Sequence, residues 1–587
     1  MRENQPIVNS DTTTSAPSAQ ISGKLQQAAV LRQAGEAVRA QTVYQEILQS
    51  QPNNFDSLFW LALMAAQANK LVEAQELIAR AIEINPDHAA AHGNRGAVLA
   101  ELEQWDAALA SYARAIELKP DYAVAYSNRG NVLRRLERPD AALSSFDQAI
   151  AIKPDFAEAY CNRGNVLREL GRLGAALVSC DRAIEIKPDF AEAYCNRGIV
   201  QKELGLLDAA LASYDRAIAI RPDYAAAYCN RGIVLQELNQ IDSAMSSYNR
   251  AIAIKADFAE AYYNRSIASL SRGDFESGWI DYEWRWKTEH GARLRGNRTF
   301  QPARWLGRES LAGKNVLLHC EQGLGDTFQF CRYVRLIADL GARVILEVQN
   351  PLKSVLADLD GVSQLVVQGD ALPAFDYHCP LMSLPLAFAT TLSGVPARVP
   401  YLKASVQKVL YWKAKLGEKT RLRVGLVWSG GFRPDQPELW SVNHRRNIPL
   451  AKLAALKHSD IDFYSLQKGQ PAESEVADLI SKNWDGPHLI DFTGFLNDFS
   501  ETAALIELLD LVISVDTSTA HLAGAMGKPV WILNRFDGCW RWMLDRADTP
   551  WYPTATLYRQ EKVGDWESVV QRVRADLCRL PLEHSGS

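Results

Sequence analysis

The chain has 587 residues, 47% hydrophobic and 23% charged, with 64 basic against 69 acidic side chains and a formal charge of -5. That length predicts two or more domains, the composition excludes a disordered or fibrous chain, and the near balance of charge excludes a global attraction to nucleic acid or anionic membrane. No secretory leader or apolar run of roughly 18 residues is evident, so no transmembrane segment and a cytoplasmic location are expected.

Residues 1–20 are polar, rich in Ser and Thr, and without periodicity, so they are expected to be disordered. A 34-residue period then runs over 21–292. Asn94, Asn128, Asn162, Asn196, Asn230 and Asn264 keep that step, as do Pro52, Pro86, Pro120, Pro154, Pro188 and Pro222. This is the tetratricopeptide period. Within one unit two helices are split near Glu137, Arg138 and Pro139, and Pro154 closes the second. Gly130 and Ala142 are small where the helices must approach, and Tyr126, Leu133, Phe146 and Ala149 supply faces that only stacking can bury. The expected product is an α-helical right-handed superhelix with a concave surface suited to extended partners. Cys161, Cys195 and Cys229 recur at the same interval, which reads as repeat packing rather than a disulfide framework or a metal site. Ala256 in place of the proline and Gly278 in place of the alanine predict the end of the array.

A stretch rich in Trp, Arg and Gly follows, and 293–313 is read as a linker. Over 314–420, apolar runs at 315–320, 343–348 and 364–369 alternate with helices, one reaching Leu340 and another covering 351–359. A charged, helix-prone connector leads to a second series over 421–587, with runs at 422–431, 461–467, 488–494, 511–516 and 529–534. The fold class is therefore a helical superhelix followed by an α/β domain of two Rossmann-like halves. Ligands of such halves bind outside the carboxyl ends of the strands.

Three motifs stand out, the first two at such ends and the third just before Pro449 and a helix. In EQGLGDTFQFCRYV, Gly323 and Gly325 permit close backbone approach and Asp326 either caps its helix or faces the cleft. In SVDTSTAHLAGAMGKPV, the amides of Thr517, Ser518 and Thr519 open a helix and can receive a diphosphate. His521 lies one turn in, either as a further donor or as a core histidine, and Asp516 is suited to a sugar hydroxyl or to fixing the loop. In NHRRNIPLAKLAAL, Arg446 either meets a leaving phosphate or forms a surface ion pair. The aromatic cluster at 537–553, with Trp540, Trp542, Trp551 and Tyr552 beside Arg541 and Arg546, either stacks a sugar or base or closes the core. Asp358 with Asp360 and Asp460 with Asp462 read as solvated edges, and no metal site is expected.

Together the three motifs resemble the family 9 glycosyltransferases, the heptosyltransferase group with the GT-B fold. Gly323 to Asp326 match its GLGD loop, whose aspartate the resemblance makes the acceptor base. Asp516 to Ala523 match its D-T-G-x-x-H-L-A loop, with Ser518 in place of the glycine. Arg446, three before Pro449, matches its basic phosphate-binding position. The resemblance implies a metal-independent, inverting transfer from a nucleotide-diphosphate sugar, used as substrate and not as a cofactor, with Asp326, Arg446 and His521 as the catalytic set. Joined to a tetratricopeptide array, such a domain is also similar to the protein O-GlcNAc transferases. There the six asparagines would grip a polypeptide backbone, although the same side chains could simply face water. The competing reading is a protein-binding scaffold whose GT-B-like domain is catalytically inactive.

Overall fold

The computed structural model describes residues 19–295, 298–431, 440–470, 472–481 and 485–580; the expected disorder of 1–20 lies almost wholly outside them. The chain divides into two units between Ala227 and Tyr228, and each is described by itself.

The first unit is a stack of helical hairpins, among them Ala123–Arg135 with Pro139–Ile152, Ala157–Glu169 with Leu173–Ile186, and Ala191–Glu203 with Leu207–Ile220. Lys153 and Lys187 cap the ends of second helices, and the proline that follows each cannot continue the helix. Gly35, Asn69, Glu103, Glu137, Gly171 and Gly205, again 34 apart, all have positive φ. The turn between paired helices therefore demands a left-handed residue in every repeat, and two repeats meet the demand with glutamate. A Cβ on Gly130 would sit 2.8 Å from the Phe146 ring, and one on Gly198 would sit 2.7 Å from Tyr214. Glycine is thus what lets an aromatic ring of the second helix lie flat on the first. Leu133, Phe146 and Ala149 are buried as expected, whereas Tyr126 is half-buried, with the Arg129 guanidinium 5.0 Å from its ring centre. Fully burying a side chain such as Phe146 contributes about 2–3 kcal/mol. Arginine next to the repeated asparagine ties neighbouring layers: Arg163 donates to Asp147 (2.7 Å) and to Ser179 (2.9 Å), each 16 residues away.

The second unit continues with the helices Ile241–Ile254, Ala259–Arg272 and Phe275–Tyr282. The last has 8 residues where earlier second helices have 14, and a Cβ on Gly278 would meet Leu270 at 2.7 Å. A 3-10 turn, Glu283–Lys287, follows.

Two parallel sheets complete this unit. The first comprises β1 (Asn315–His319), β2 (Arg343–Val348), β3 (Val362–Val367) and β4 (Tyr377–Pro380), in the order β3-β2-β1-β4. The second comprises β5 (Leu422–Val427), β6 (Ile461–Ser465), β7 (Leu489–Asp491), β8 (Leu511–Val515), β9 (Val530–Asn534) and β10 (Ala555–Arg559), in the order β10-β9-β8-β5-β6-β7. Strands covered on both faces read as unbroken apolar runs, and β8 and β9 are buried throughout. The architecture is a helical tetratricopeptide solenoid followed by a two-sheet, GT-B-like α/β domain. Two expected elements differ. The helix reaching Leu340 is broken by the 3-10 turn Cys331–Tyr333 into Leu324–Phe330 and Val334–Asp339, and the helix over 351–359 is only the 3-10 turn Asn350–Leu352 with further turns after it. Leu352, Val355, Leu356 and Leu359 are nevertheless buried, so their helical spacing records a loop pressed on the sheet.

Candidate functional site

In each sheet the strand order reverses beside the first strand of the series: between β5 and β8, and around β1. The crevice left there, outside the carboxyl ends, receives the loops that carry the three motifs.

After β1 the loop passes Glu321 and Gly323 into the helix Leu324–Phe330. Asp326 accepts from the Gly323 amide through Oδ2 at 2.9 Å, which is the capping role. Its Oδ1 accepts from Arg541 Nη2, so both oxygens are engaged. A Cβ on Gly325 would meet His521 Cδ2 at 2.7 Å; the glycine is what brings the first helix of one half onto the helix Ser518–Ala525 of the other.

After β8, Thr517 caps that second helix by position, yet its side chain makes no capping bond. Its hydroxyl lies 2.8 Å from Ser514 Oγ instead. Ser518 is not among the residues of positive φ, so a serine at this place carries no backbone strain. His521 is 4% exposed. Its Nδ1 pairs with the Tyr552 hydroxyl at 2.9 Å, its Nε2 is 3.9 Å from Asp516 Oδ1, and its ring stacks on Trp542. Burial pushes its pKa down to about 4, against the pull of Asp516. The imidazole is therefore neutral at pH 7 and adds no positive charge to the site.

Arg446 ends the helix Trp440–Arg446. It donates to the Asp516 carbonyl (3.1 Å) and to Asn443 Oδ1 (2.7 Å). A Cβ on Gly430, in the loop after β5, would overlap its guanidinium at 1.9 Å. The neighbouring Arg445 is the one that pairs with a carboxylate, Asp537, at 3.0 Å. Five groups form one chain of contacts: Arg446 to Asp516, Asp516 to His521, His521 to the turn of Gly325 and Asp326, and Asp326 to Arg541.

Several residues beyond those singled out in the three motifs build this arrangement. Arg541 lies 4.5 Å from the Trp540 ring centre and donates to Cys539 Sγ at 3.1 Å. Arg285 makes a bidentate, buried pair with Glu321 (2.9 and 3.1 Å) and donates to Glu283 and Ser383, fixing the base of the Gly323 loop from the Glu283–Lys287 turn. Arg332 donates to the Trp551 carbonyl (2.6 Å) and the Tyr401 hydroxyl (2.9 Å), tying the two halves together. Trp551 and Trp540 pack with Phe275, Trp279 and Phe330. The aromatic cluster at 537–553 thus closes a core. A surface groove of about 510 Å³ lies elsewhere, lined by Gly273, Glu276, Leu392 and Arg546 among others, and none of the converging residues borders it.

The repeated asparagines are not equivalent. Asn94 and Asn128 are 2% and 4% exposed, while Asn162, Asn196, Asn230 and Asn264 are half-buried. Asn94 Nδ2 donates to the Ala90 carbonyl (2.9 Å), Asn196 to Cys161 Sγ (3.1 Å) and Asn264 to Cys229 Sγ at a longer 3.7 Å. Among the described residues no three His, Cys, Asp or Glu side chains are grouped as metal ligands, and no helix is long and apolar enough to cross a membrane.

Comparison with known proteins bears on both parts. Models of the tetratricopeptide repeat match residues 31–102, 87–155, 145–178, 164–205, 202–239 and 225–258, and the chain is a tetratricopeptide-repeat protein. The model of glycosyltransferase family 9 (heptosyltransferase) matches residues 464–533, a span that holds Asp516 and His521 but neither Asp326 nor Arg446. Protein FlbA of Caulobacter vibrioides (strain ATCC 19089 / CIP 103742 / CB 15) is 28% identical over 337 residues, covering 52% of this chain and 53% of FlbA; the chain spans about half the length of that curated relative. Among solved structures, YrrB, described as a TPR protein with an unusual peptide-binding site, is 28% identical over 32% of this chain and 97% of its own, with a TM-score of 0.27. The APC/C hetero-tetramer Cut9-Hcn1 is 16% identical over 42% and 48%, with a TM-score of 0.38.

Proposed function

We propose that the chain is a protein-binding tetratricopeptide array (21–292) joined through 293–313 to a two-halved body (314–420 and 421–587) whose cleft takes a nucleotide-diphosphate ligand without transferring a sugar. The observation that carries this reading is the state of Asp326. A general base must direct a lone pair at the acceptor proton, whereas one oxygen of this carboxylate is turned to the Gly323 amide as a helix cap, a bond independent of any ligand, and the other is paired with Arg541. Arg446, the uncapped helix start at Thr517 and Arg541 together supply charge and donors for a diphosphate.

Glycosyl transfer is the second reading, favoured by the convergence of Asp326, Asp516, His521 and Arg446 and by the family 9 match over 464–533. In it Asp326, freed from Arg541, deprotonates a hydroxyl on a polypeptide brought by the asparagine row, while Arg446 and the helix amides stabilise the departing diphosphate. Thermal-shift titration with ADP-, UDP-, GDP- and dTDP-sugars, followed by assay of sugar release, separates the two. The first reading expects a shift with at least one donor and no release above background. Release that Asp326→Asn abolishes would establish the second. No shift with any donor would remove both.

A further inference from the structure

Resting on the reading of the cleft as a diphosphate site, we infer that Arg541 is a phosphate-binding residue held in reserve: Asp326 occupies its guanidinium when the cleft is empty, and a diphosphate takes its place. Arg541 is 9% exposed and has five N–H donors to satisfy. Nη2 is used on Asp326 and Nη1 on the weakly accepting Cys539 sulfur, while Nε is buried with no partner among the described residues. A desolvated guanidinium so sparsely bonded is costly to maintain for structure alone, because each buried donor left unmade carries a desolvation penalty. A phosphate offers it the bidentate geometry that a single carboxylate oxygen does not.

The surroundings favour the same occupant. The turn of Gly325 and Asp326, which holds the guanidinium, packs on His521 of the helix that opens after Thr517. The helix behind that loop has 8 residues and no side-chain cap, leaving its first amides and dipole for an anion. Asp326 and Arg541 stand on different halves of the body, 215 residues apart in sequence. The exchange is one of contacts only and needs no proton transfer.

The test is calorimetric titration of the full chain with UDP, ADP, GDP and dTDP, and with inorganic pyrophosphate. Asp326→Asn removes the competing charge, so the best ligand should bind about tenfold or more tighter than to the wild type, while Arg541→Met should bind about tenfold or more weaker. The double variant should match Arg541→Met. Equal affinity of wild type and Asp326→Asn would overturn the exchange and leave the cleft reading intact; equal affinity of wild type and Arg541→Met would remove Arg541 from the site. Failure of every probe on every variant would instead overturn the cleft reading itself. Should Asp326→Asn melt without a folded baseline, rising ionic strength provides the second measurement with Asp326 intact. The salt dependence of wild-type binding should be shallower than that of a plain phosphate site because an internal pair breaks as the new one forms, and Arg541→Met should leave that dependence unchanged if the exchange does not occur.

Discussion

Three imidazoles in the second unit lie where a proton is unwelcome. His319 and His378 face each other at 3.2 Å. Burial, together with His378 and Arg298, pushes His319 down to about 3, and burial with Arg304 pushes His378 down to about 4. His521, at about 4, is the third. Each has a folded pKa below its unfolded value near 6.5, so between those values the unfolded chain binds the extra proton. Stability from these groups is complete above about pH 6.5 and is lost as the pH falls towards 4 and 3. The melting temperature of the second unit should fall steeply across that window, and His378→Gln should flatten the fall; a melting temperature constant from pH 6.5 to 4.5 would refute the buried, neutral state. Gly325 offers a second residue-scale prediction. Its missing Cβ is what admits a histidine held by Tyr552 and Trp542, so Gly325→Ala should destabilise by about 1–3 kcal/mol, read as a lower urea midpoint, and should weaken nucleotide binding.

At the scale of elements, the turn inside each repeat is the clearest case of local sequence at odds with local structure. Glu103 and Glu137 adopt φ of 58° and 55° where other repeats carry glycine or asparagine. Glu137→Gly and Glu103→Gly should each stabilise the array by about 1 kcal/mol, detectable as a raised unfolding midpoint; a loss would mean the glutamate side chain makes good the strain. The period of 34, the small residue at Gly130 and the strands β5, β6, β8 and β9 were legible because each rests on a repeated spacing or an unbroken apolar run. β4 and β10 were not: the one is four residues ending in Pro380, the other a short edge run whose pairing depends on a strand already placed. The candidate site was legible as motifs but not as bonds. Asp326 could be read as a cap or as a base, and only the approach of Arg541 from 215 residues away shows that it is spoken for.

For the molecule as a whole, the proposed function gives the array and the α/β body separable roles. Asn196 already donates to Cys161, so part of the asparagine row serves layer contacts, while a primary amide keeps an acceptor and a second donor hydrogen for a peptide group. Replacing Asn162, Asn196 and Asn230 by alanine should reduce capture of an extended polypeptide and leave nucleotide affinity unchanged; unchanged capture would assign those amides to the fold. The central claim is that the cleft binds a nucleotide diphosphate without transferring a sugar, Asp326 keeping its cap on the Gly323 amide even when a diphosphate draws Arg541 away. It is tested most directly by following release of labelled sugar from whichever nucleotide-sugar shifts the melting curve, with a polypeptide retained by the array present in the same tube. Saturable binding with release no faster than in buffer is expected. Release that rises with protein concentration and disappears in Asp326→Asn would contradict it.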